Sequence, residues 1–362
     1  MIQKTQLHHV HVAAGAKMIP FAGWDMPVRY SSDKKEHLAV RNGVGIFDVS
    51  HMGEFIVRGP KALDLIQKVS SNDASKLVPG KAHYSCMPNH QGGIVDDVIV
   101  YHIREEQYMI VVNASNIQKD WEWVSASNEE IGAELIDISD KTSLIAVSGP
   151  KAEATLQKLA DFDLSTMGTY FCWKGTFHGA EKSLIATTGY TGERTFEVFV
   201  YNEHAERIWN AIMEAGQEFD IELCGLGSRD TLRLEMGYML YGNDINDETS
   251  PLEAGLGWIT KLKKGPFNGS GVIAKLKEDG LKKRMVAFKM KQRGIPRAGY
   301  EMAHNGKVIG TVTSGSMSPV LNEGIGMGYV PVELKAPGTE IDIMIRGKAV
   351  KAEIIRPPFV SK

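Results

Sequence analysis

An internal repeat constrains the fold of this chain more than any other feature. The stretches VRGPKALDLIQKV (57–69) and VSGPKAEATLQKL (147–159) align without gaps at an offset of 90 residues and share seven identical positions. Each copy follows an extended run and continues with helical spacing, which predicts a strand, a tight Gly-Pro turn and a helix. The offset is too long for a solenoid. We therefore expect two related β-α modules within one larger unit, and pseudo-symmetric halves of this kind often hold a ligand between them.

The other elements alternate without a strict β-α-β rhythm. Strands are predicted at 53–58, 94–103, 107–113, 143–148, 183–188 and 195–201. Helices are predicted at 32–42, 60–69, 115–128, 150–160, 203–216 and 228–237. This mixture indicates an α+β fold and not a doubly wound parallel sheet.

The texture of the sequence changes near residue 265. The glycine-rich stretch GPFNGSG (265–271) interrupts the pattern, and a short helix follows it. Short extended runs then alternate with turn residues, and Asn305-Gly306 is a strong hairpin signal between two of them. We therefore predict that the last 80 or so residues form a separate all-β barrel or sandwich.

Composition and charge narrow the classes of function. The chain has 362 residues, 43% of them apolar, which suggests two or three domains. Its net charge of −3, without long runs of one sign, argues against a nucleic-acid partner. The absence of about 18 consecutive apolar residues argues against a membrane span. The three separated cysteines and an N-terminus that resembles no export signal lead us to expect a cytoplasmic protein.

Several short motifs resemble metal-binding, nucleotide-binding or catalytic motifs but do not match them. The stretch HHVH (8–11) resembles a metal cluster, but no distant ligand has convincing spacing, so we expect no metal site. The glycine-rich segments match neither GxGxxG in its strand-helix context nor GxxxxGK[ST], and no GxSxG elbow is present.

The stretch GGIVDDVIVY (92–101) places two carboxylates inside a strand that is otherwise apolar. Alternation puts Asp97 and Tyr101 on one face and Asp96 on the other. If QYMIVVNASN is the antiparallel partner after a three-residue loop, Asp97 lies opposite Asn113, and Tyr101 lies opposite Met109. An acid, an amide and a phenol would then line one apolar wall. The alternative is that Asp97 caps a turn or bonds a backbone amide, with Asp96 in solvent.

Two more charged residues stand in unusual surroundings. Glu197 lies among Phe196, Val198 and Phe199 on a predicted strand, so its carboxylate needs a donor. Arg229 falls in the first turn of a predicted helix, where a cation opposes the helix dipole unless it meets an anion or a polar ligand. A structural Glu–Arg ion pair would explain both residues equally well.

A resemblance to a known family covers nearly the whole chain. The blocks that carry it are GAKMIPFAGWDMPVRY (15–30), GIFDVSHMGE (45–54), YSCMPNHQGGIVDDVIVY (84–101), VVNASN (111–116), TGYTGERTFEV (188–198), GLGSRDTLRLEMGYMLYGNDI (225–245), PLEAGLGW (251–258) and GTVTSGSMSP with IGMGYVP (310–331). In this order they resemble the aminomethyltransferases, or T proteins, of the glycine cleavage system.

The resemblance implies a specific reaction. The one-carbon unit of the S-aminomethyl-dihydrolipoyl H protein would be transferred to tetrahydrofolate as co-substrate, giving 5,10-methylenetetrahydrofolate and ammonia. The resemblance also implies a three-lobed cloverleaf made of a duplicated α/β folate-binding unit and a C-terminal all-β barrel. We expect the folate-binding region at 1–275, with a second lobe at about 55–140, and the barrel at 282–362.

The resemblance also assigns residues by motif position. The catalytic acid would be Asp97, and Asp96 would have a structural role. The folate-binding residues would be Met52, Tyr84, Tyr101, Asn113, Tyr190, Glu197 and Arg229.

Two other readings of the same fold remain open. A folate-coupled demethylase module would normally follow a flavin domain on the same chain, and none is found here. A non-catalytic folate-binding protein would normally carry a distinct cysteine-containing signature, which this sequence lacks. The basic residues around 261–264 and 291–297 would suit an acidic carrier protein, or they lie in solvated loops.

Overall fold

The computed structural model describes residues 2–361 and contains eight α-helices and nineteen strands within that range. The helices are α1 (His8–Ala13), α2 (Asp33–Asn42), α3 (Ala62–Val69), α4 (Ile117–Asn128), α5 (Ala152–Gln157), α6 (Ala205–Gly216), α7 (Leu226–Met236) and α8 (Ser270–Asp279). In the part of the chain described, no helix is both long and apolar enough to cross a membrane.

The strands include the six that were predicted by residue range and seven further strands before the barrel that were not predicted. They are β1 (Lys17–Phe21), β2 (Trp24–Arg29), β3 (Gly45–Asp48), β4 (Gly53–Arg58), β5 (Lys81–Pro88), β6 (Ile94–Arg104), β7 (Gln107–Val112), β8 (Glu134–Asp137), β9 (Thr142–Ser148), β10 (Cys172–Phe177), β11 (Ala180–Ala186), β12 (Thr195–Tyr201), β13 (Glu222–Leu223), β14 (Lys283–Met290), β15 (Glu301–His304), β16 (Lys307–Met317), β17 (Gly324–Pro331), β18 (Glu340–Ile345) and β19 (Lys348–Ile355). Each of the six strands and six helices predicted by residue range is present, with ends that differ by up to three residues.

The strands form four sheets. β1 and β2 make a two-stranded ribbon, and a five-stranded sheet has the order β5-β6-β7-β4-β8. A six-stranded sheet has the order β10-β11-β12-β9-β3-β13, and β14 to β19 close into a barrel. Most neighbouring strands are antiparallel, the short β13–β3 pair being parallel. The expected α+β class and C-terminal barrel are thus confirmed.

The chain divides into two compact units. The N-terminal unit contains the residues up to Val69 together with Asp73–Ser85 and Val98–Asp230. The C-terminal unit contains Ser70–Asn72, Cys86–Asp97 and the residues from Thr231 onward.

The predicted repeat is present as two matching strand–turn–helix modules in the N-terminal unit. β4 leads into α3 and β9 leads into α5, and these helices begin at Ala62 and Ala152, which are 90 residues apart. The turn glycines Gly59 and Gly149 adopt φ values of +92° and +131°, which favour glycine over any residue with a Cβ atom. The sequence repeat therefore encodes a repeated backbone conformation.

The match extends beyond the helices. Gln67 and Gln157 each accept a hydrogen bond from a backbone amide at the start of a short 3₁₀ turn. Asp73 and Asp163, again 90 residues apart, cap these turns through Ser75 and Ser165. The similarity of the two modules thus reaches residues that the aligned sequence stretches do not include.

The two modules also meet at their edges. Lys81 and Phe171, at equivalent positions in the repeat, form an antiparallel bridge. The amide of Ala82 donates to the carbonyl of Tyr170 at 2.8 Å, and the amide of Cys172 donates to the carbonyl of Gly80 at 2.9 Å. The edge strand β5 and the residues at the start of the edge strand β10 are therefore joined by a short antiparallel contact.

The C-terminal unit is built around the barrel. Its core is formed by apolar side chains that alternate along the strands and point inward, including Phe288, Met302 and Ile343. Asn305 and Gly306 have φ values of 51° and 75° in the turn between β15 and β16. This is the two-residue hairpin that the sequence predicts, since both positions need a positive φ.

Candidate functional site

Three polar side chains meet in the N-terminal unit. The hydroxyl of Tyr101, on β6, lies 2.8 Å from the Thr188 hydroxyl and donates to a carboxylate oxygen of Glu197 at 3.3 Å. Thr188 donates a hydrogen bond to the same carboxylate oxygen. Two of the residues predicted for the folate site, Tyr101 and Glu197, are thereby in direct contact, and Thr188 was not anticipated from the sequence.

The electrostatics of this cluster are set by burial. Burial raises the pKa of Glu197 above its ordinary value, although Thr188, the positive charge of Arg229 and Tyr101 act in the opposite direction. Burial also raises the pKa of Tyr101 well above its ordinary value, and the charge of Glu197 adds to this effect. Tyr101 therefore remains a neutral phenol that can donate a hydrogen bond.

Arg229 contributes a cation beside this cluster. It lies in the first turn of α7, as the sequence predicts, although the helix begins at Leu226 and not at Ser228. Its guanidinium lies 4.6 Å from the centre of the Tyr190 ring, in a cation–π contact. Its influence on Glu197 shows that the cation and the carboxylate are within electrostatic range. This placement accounts for a cation that opposes the dipole of its own helix.

His51 is a further member of these surroundings that sequence reasoning missed. Its side chain is buried, and its ring packs edge-on against Phe21 with the centroids 5.6 Å apart. Burial, together with the charge of Arg229, lowers the pKa of His51 to about 4. The imidazole is therefore neutral near pH 7 and is available as a hydrogen-bonding group.

Glu54 was also missed. It lies opposite Val111 in the pairing of β4 with β7, and Val111 lies opposite Ile99 in the pairing of β7 with β6. Because opposite residues of antiparallel strands share a face, Glu54 is on the sheet face that carries Tyr101. Its side chain is buried, and neither carboxyl oxygen has a hydrogen-bond partner among residues 2–361.

The strand β6 carries the two acids of the opening motif. Asp97 is partly buried, and Asp96 is fully buried, so the alternative that leaves Asp96 in solvent is wrong. Burial raises the pKa of the Cys86 thiol to about 12, and the charge of Asp97 contributes to that rise. Asp97 is therefore close enough to influence this thiol.

The predicted register of β6 and β7 is confirmed from Ile99 to His102, but the predicted three-residue loop is wrong, because a bulge after His102 pairs Arg104 with Gln107. Ile99 pairs with Val111, and Tyr101 pairs with Met109, as expected. Asn113, however, lies just after the end of β7 and precedes a 3₁₀ turn. The chain turns there, so the paired strand positions do not extend to Asn113, contrary to the predicted opposition with Asp97.

The other predicted folate residues are partly buried. Met52 lies in the turn before β4, where its amide donates to the carbonyl of Val49 at 3.1 Å. Tyr84 lies on β5. The assignment of Met52, Tyr84 and Asn113 to a folate site stays a prediction.

This arrangement has the chemistry to hold a flat, polar heterocycle. The Glu197 carboxylate accepts hydrogen bonds from ring N–H or amino groups, and the Arg229 guanidinium donates to carbonyl oxygens. The partly buried ring of Tyr190 supplies a flat surface that can pack on an aromatic ligand.

The comparisons with known proteins cover both parts of the chain. Residues 7–264 match the family described as the GCVT N-terminal domain. Residues 283–361 match the glycine cleavage T-protein C-terminal barrel domain.

Individual relatives match over nearly their full length. An aminomethyltransferase of Flavobacterium psychrophilum is 54% identical over 362 residues, covering 100% of each chain. An aminomethyltransferase of Bacteroides thetaiotaomicron is 53% identical over 360 residues and covers 99% of each chain. The crystal structure of glycine cleavage system aminomethyltransferase T from Bartonella henselae superimposes with a TM-score of 0.93 at 34% identity, covering 99% of this chain and 98% of that one.

Proposed function

We propose, because the chain belongs to the aminomethyltransferase (T-protein) family of the glycine cleavage system, that the cluster around Glu197 binds the folate co-substrate of its reaction. The chain is an aminomethyltransferase enzyme of glycine degradation. The observation that carries the proposal is the convergence of Tyr101, Thr188 and Glu197, with the Arg229 cation in electrostatic range.

The reaction joins two substrates. The carbon–sulfur bond of the S-aminomethyl-dihydrolipoyl group on the H protein breaks, and the sulfur leaves as the dihydrolipoyl thiol. The carbon becomes bonded to the two reacting nitrogens of tetrahydrofolate, and the amino group leaves as ammonia. The products are 5,10-methylenetetrahydrofolate, ammonia and the dihydrolipoyl H protein. The lipoylated H protein is the partner that this reaction requires.

Glu197 and Arg229 fit the polar edge of a pterin. The carboxylate suits the amino group and ring N–H donors, and the guanidinium suits the carbonyl acceptor. Tyr101 and Thr188 fix the carboxylate through their hydroxyl groups, so its orientation is set before the ligand arrives. Tyr190, held under the Arg229 guanidinium, supplies an aromatic surface beside that edge. Met52, Tyr84 and Asn113 complete the proposed folate-binding set.

Asp97 is the proposed catalytic acid. Loss of ammonia and cleavage of the carbon–sulfur bond give the transferred carbon iminium-like, cationic character. A fixed carboxylate that is partly shielded from water stabilises such a charge, and it can also exchange protons with the folate nitrogens. Asp97 is partly buried on the strand that also carries Tyr101, four residues further along.

The decisive experiment measures ammonia release by the purified enzyme. We expect release only when both tetrahydrofolate and aminomethylated H protein are present, with one ammonia for each 5,10-methylenetetrahydrofolate formed. Unmodified H protein is the matched control. The alternative of a non-catalytic folate-binding protein, which the family membership does not favour, predicts folate binding without any ammonia.

A further inference from the structure

The buried carboxyl group of Glu54 is a feature of the N-terminal unit that the proposed reaction leaves unexplained. Its side chain is 1% exposed, and no residue in the described chain hydrogen-bonds either oxygen. Burying a carboxyl group without partners costs free energy whether it is charged or neutral. A buried acid with a purely structural role has hydrogen-bond partners within the protein. A buried acid without such partners is expected where a bound ligand supplies the missing hydrogen bond.

The sheet register places Glu54 on the site face. Residues that pair across β6, β7 and β4 form rows perpendicular to the strands. One such row consists of Ile99, Val111 and Glu54. The adjacent row contains Tyr101 and Met109 and ends at Ile56. Glu54 is thus separated from Tyr101 by one row along the strands and by the width of one intervening strand. The side chains between the two polar groups, Val111, Met109 and Ile56, are apolar and buried, so they offer Glu54 no hydrogen-bond partner.

The charges that act on Glu54 include that of Glu197, which belongs to the cluster with Tyr101 and Thr188. Burial raises its pKa well above the ordinary value, and the nearby carboxylates Asp137 and Glu197 raise it further. Because the group is buried without any donor or cation partner in the part of the chain described, its protonated form, which has one O–H donor, is favoured over the ionised form. Glu197, by contrast, already accepts two hydrogen bonds from Thr188 and Tyr101 and is suited to bind donors. Two carboxyl groups in different environments, Glu54 on the five-stranded sheet and Glu197 on the six-stranded sheet, thus offer opposite hydrogen-bonding roles.

We infer that Glu54 is a further ligand-binding residue of this site, and that its carboxyl group donates a hydrogen bond to an acceptor atom of bound tetrahydrofolate, a ring nitrogen or a carbonyl oxygen. This inference rests on the proposed folate site at Glu197 and adds to it a donor on β4, in the sheet that also carries Tyr101.

The test compares folding and binding in two variants. In Glu54→Leu the buried polar group is replaced by an apolar side chain, so we expect an equal or higher melting temperature without ligand. The Kd for tetrahydrofolate should rise about tenfold or more, because the ligand acceptor is left unpaired. In Glu54→Gln the side-chain N–H replaces the O–H donor, and the Kd should stay within about threefold of wild type.

Glu36 provides the matched control. It is equally buried, but its carboxylate accepts hydrogen bonds from the amides of Tyr30, Ser31 and Gly225 at 2.8 to 2.9 Å. Glu36→Leu should therefore lower the melting temperature, as expected for an acid with a structural role. If Glu54→Leu unfolds or loses stability as Glu36→Leu does, the inference is overturned.

The outcomes also separate this inference from the proposed function. If Glu54→Leu binds tetrahydrofolate with wild-type affinity while Glu197→Ala does not, the role of Glu54 is refuted and the site stands. If neither variant changes the Kd, the proposed folate site around Glu197 is refuted. The inference is supported if Glu54→Leu and Glu197→Ala both bind tetrahydrofolate more weakly, if Glu54→Leu is as stable as the wild type, and if the Kd of Glu54→Gln is close to the wild-type value.

Discussion

The hydroxyl of Tyr101 donates a 3.3 Å hydrogen bond to the carboxylate of Glu197, and this bond joins strand β6 to strand β12. The two residues belong to different sheets of the N-terminal unit. A carboxylate among apolar neighbours is thereby oriented by a side chain that lies 96 residues away in the sequence. Its position is fixed by the fold, and substitutions around it test the proposed folate site directly.

Glu197→Ala should weaken the binding of tetrahydrofolate. The substitution removes the acceptor for ligand donors and leaves the hydroxyls of Thr188 and Tyr101 without it. We expect the Kd to rise about 10- to 100-fold, from the cost of unpaired polar groups. Isothermal titration calorimetry measures the change, and Glu181→Ala, at an exposed position, is the control. An unchanged Kd would remove Glu197 from the site.

Tyr101→Phe should move the pH dependence of folate binding. The Tyr101 hydroxyl is one of the groups that lower the pKa of Glu197, which burial raises overall. Without the hydroxyl that pKa rises further, so the carboxylate becomes protonated at a higher pH. Binding through ionised Glu197 then weakens earlier as the pH falls. Kd values measured from about pH 8 down to about pH 5 should show the acidic limb shifted upward.

Asp97→Asn should lower kcat by roughly 10²- to 10⁴-fold, the usual range for loss of a proton-transferring or charge-stabilising group. The melting temperature and the Kd for tetrahydrofolate should change little, because the amide keeps the shape of the side chain. Steady-state ammonia release measures the effect. A variant as active as the wild type would refute the catalytic assignment of Asp97.

Asp96→Asn is the companion variant. Asp96 is fully buried, so its substitution should cost stability, as expected for a residue with a structural role. The kcat of the folded fraction should nevertheless remain near the wild-type value. A large loss of kcat at unchanged stability would instead show that Asp96, and not Asp97, has the catalytic role.

Arg233→Met should strongly destabilise the C-terminal unit. Arg233 and Asp244 are both buried, with 2.8 Å between guanidinium and carboxylate, and the guanidinium also donates to Ser314. Removing the cation leaves a buried carboxylate, at a cost of about 3–5 kcal/mol. Chemical denaturation measures the loss. Lys275→Met breaks an exposed pair with Asp279 and should change the stability by less than about 0.5 kcal/mol.

Local patterns predicted much of this structure. The hairpin at Asn305-Gly306, the strand containing Glu197 and the register of β6 with β7 were all predictable, because alternation and turn chemistry act over a few residues. Arg229 could be singled out for the same reason, since its unfavourable helix position is a local property.

The missed residues depend on contacts between distant segments. Glu54 stands at the start of a strand, where a glutamate is usually exposed, and only the pairing of β4 with β7 reveals that it is buried. Thr188 likewise contacts Tyr101, which is 87 residues away in the sequence, and His51 is influenced by Arg229 on the distant helix α7. The break at Asn113 was missed because a polar residue that ends a strand resembles one that continues it.

The bridge between Lys81 and Phe171 bears on the ancestry of the N-terminal unit. A contact between equivalent positions of two copies is isologous, the kind that a single module would make with a second molecule of itself about a two-fold axis. Fusion of two such molecules into one polypeptide would keep that axis while freeing each copy to diverge. The asymmetry of the present catalyst, with its carboxylate on one copy and its phenol on the other, is a change that identical subunits could not have made.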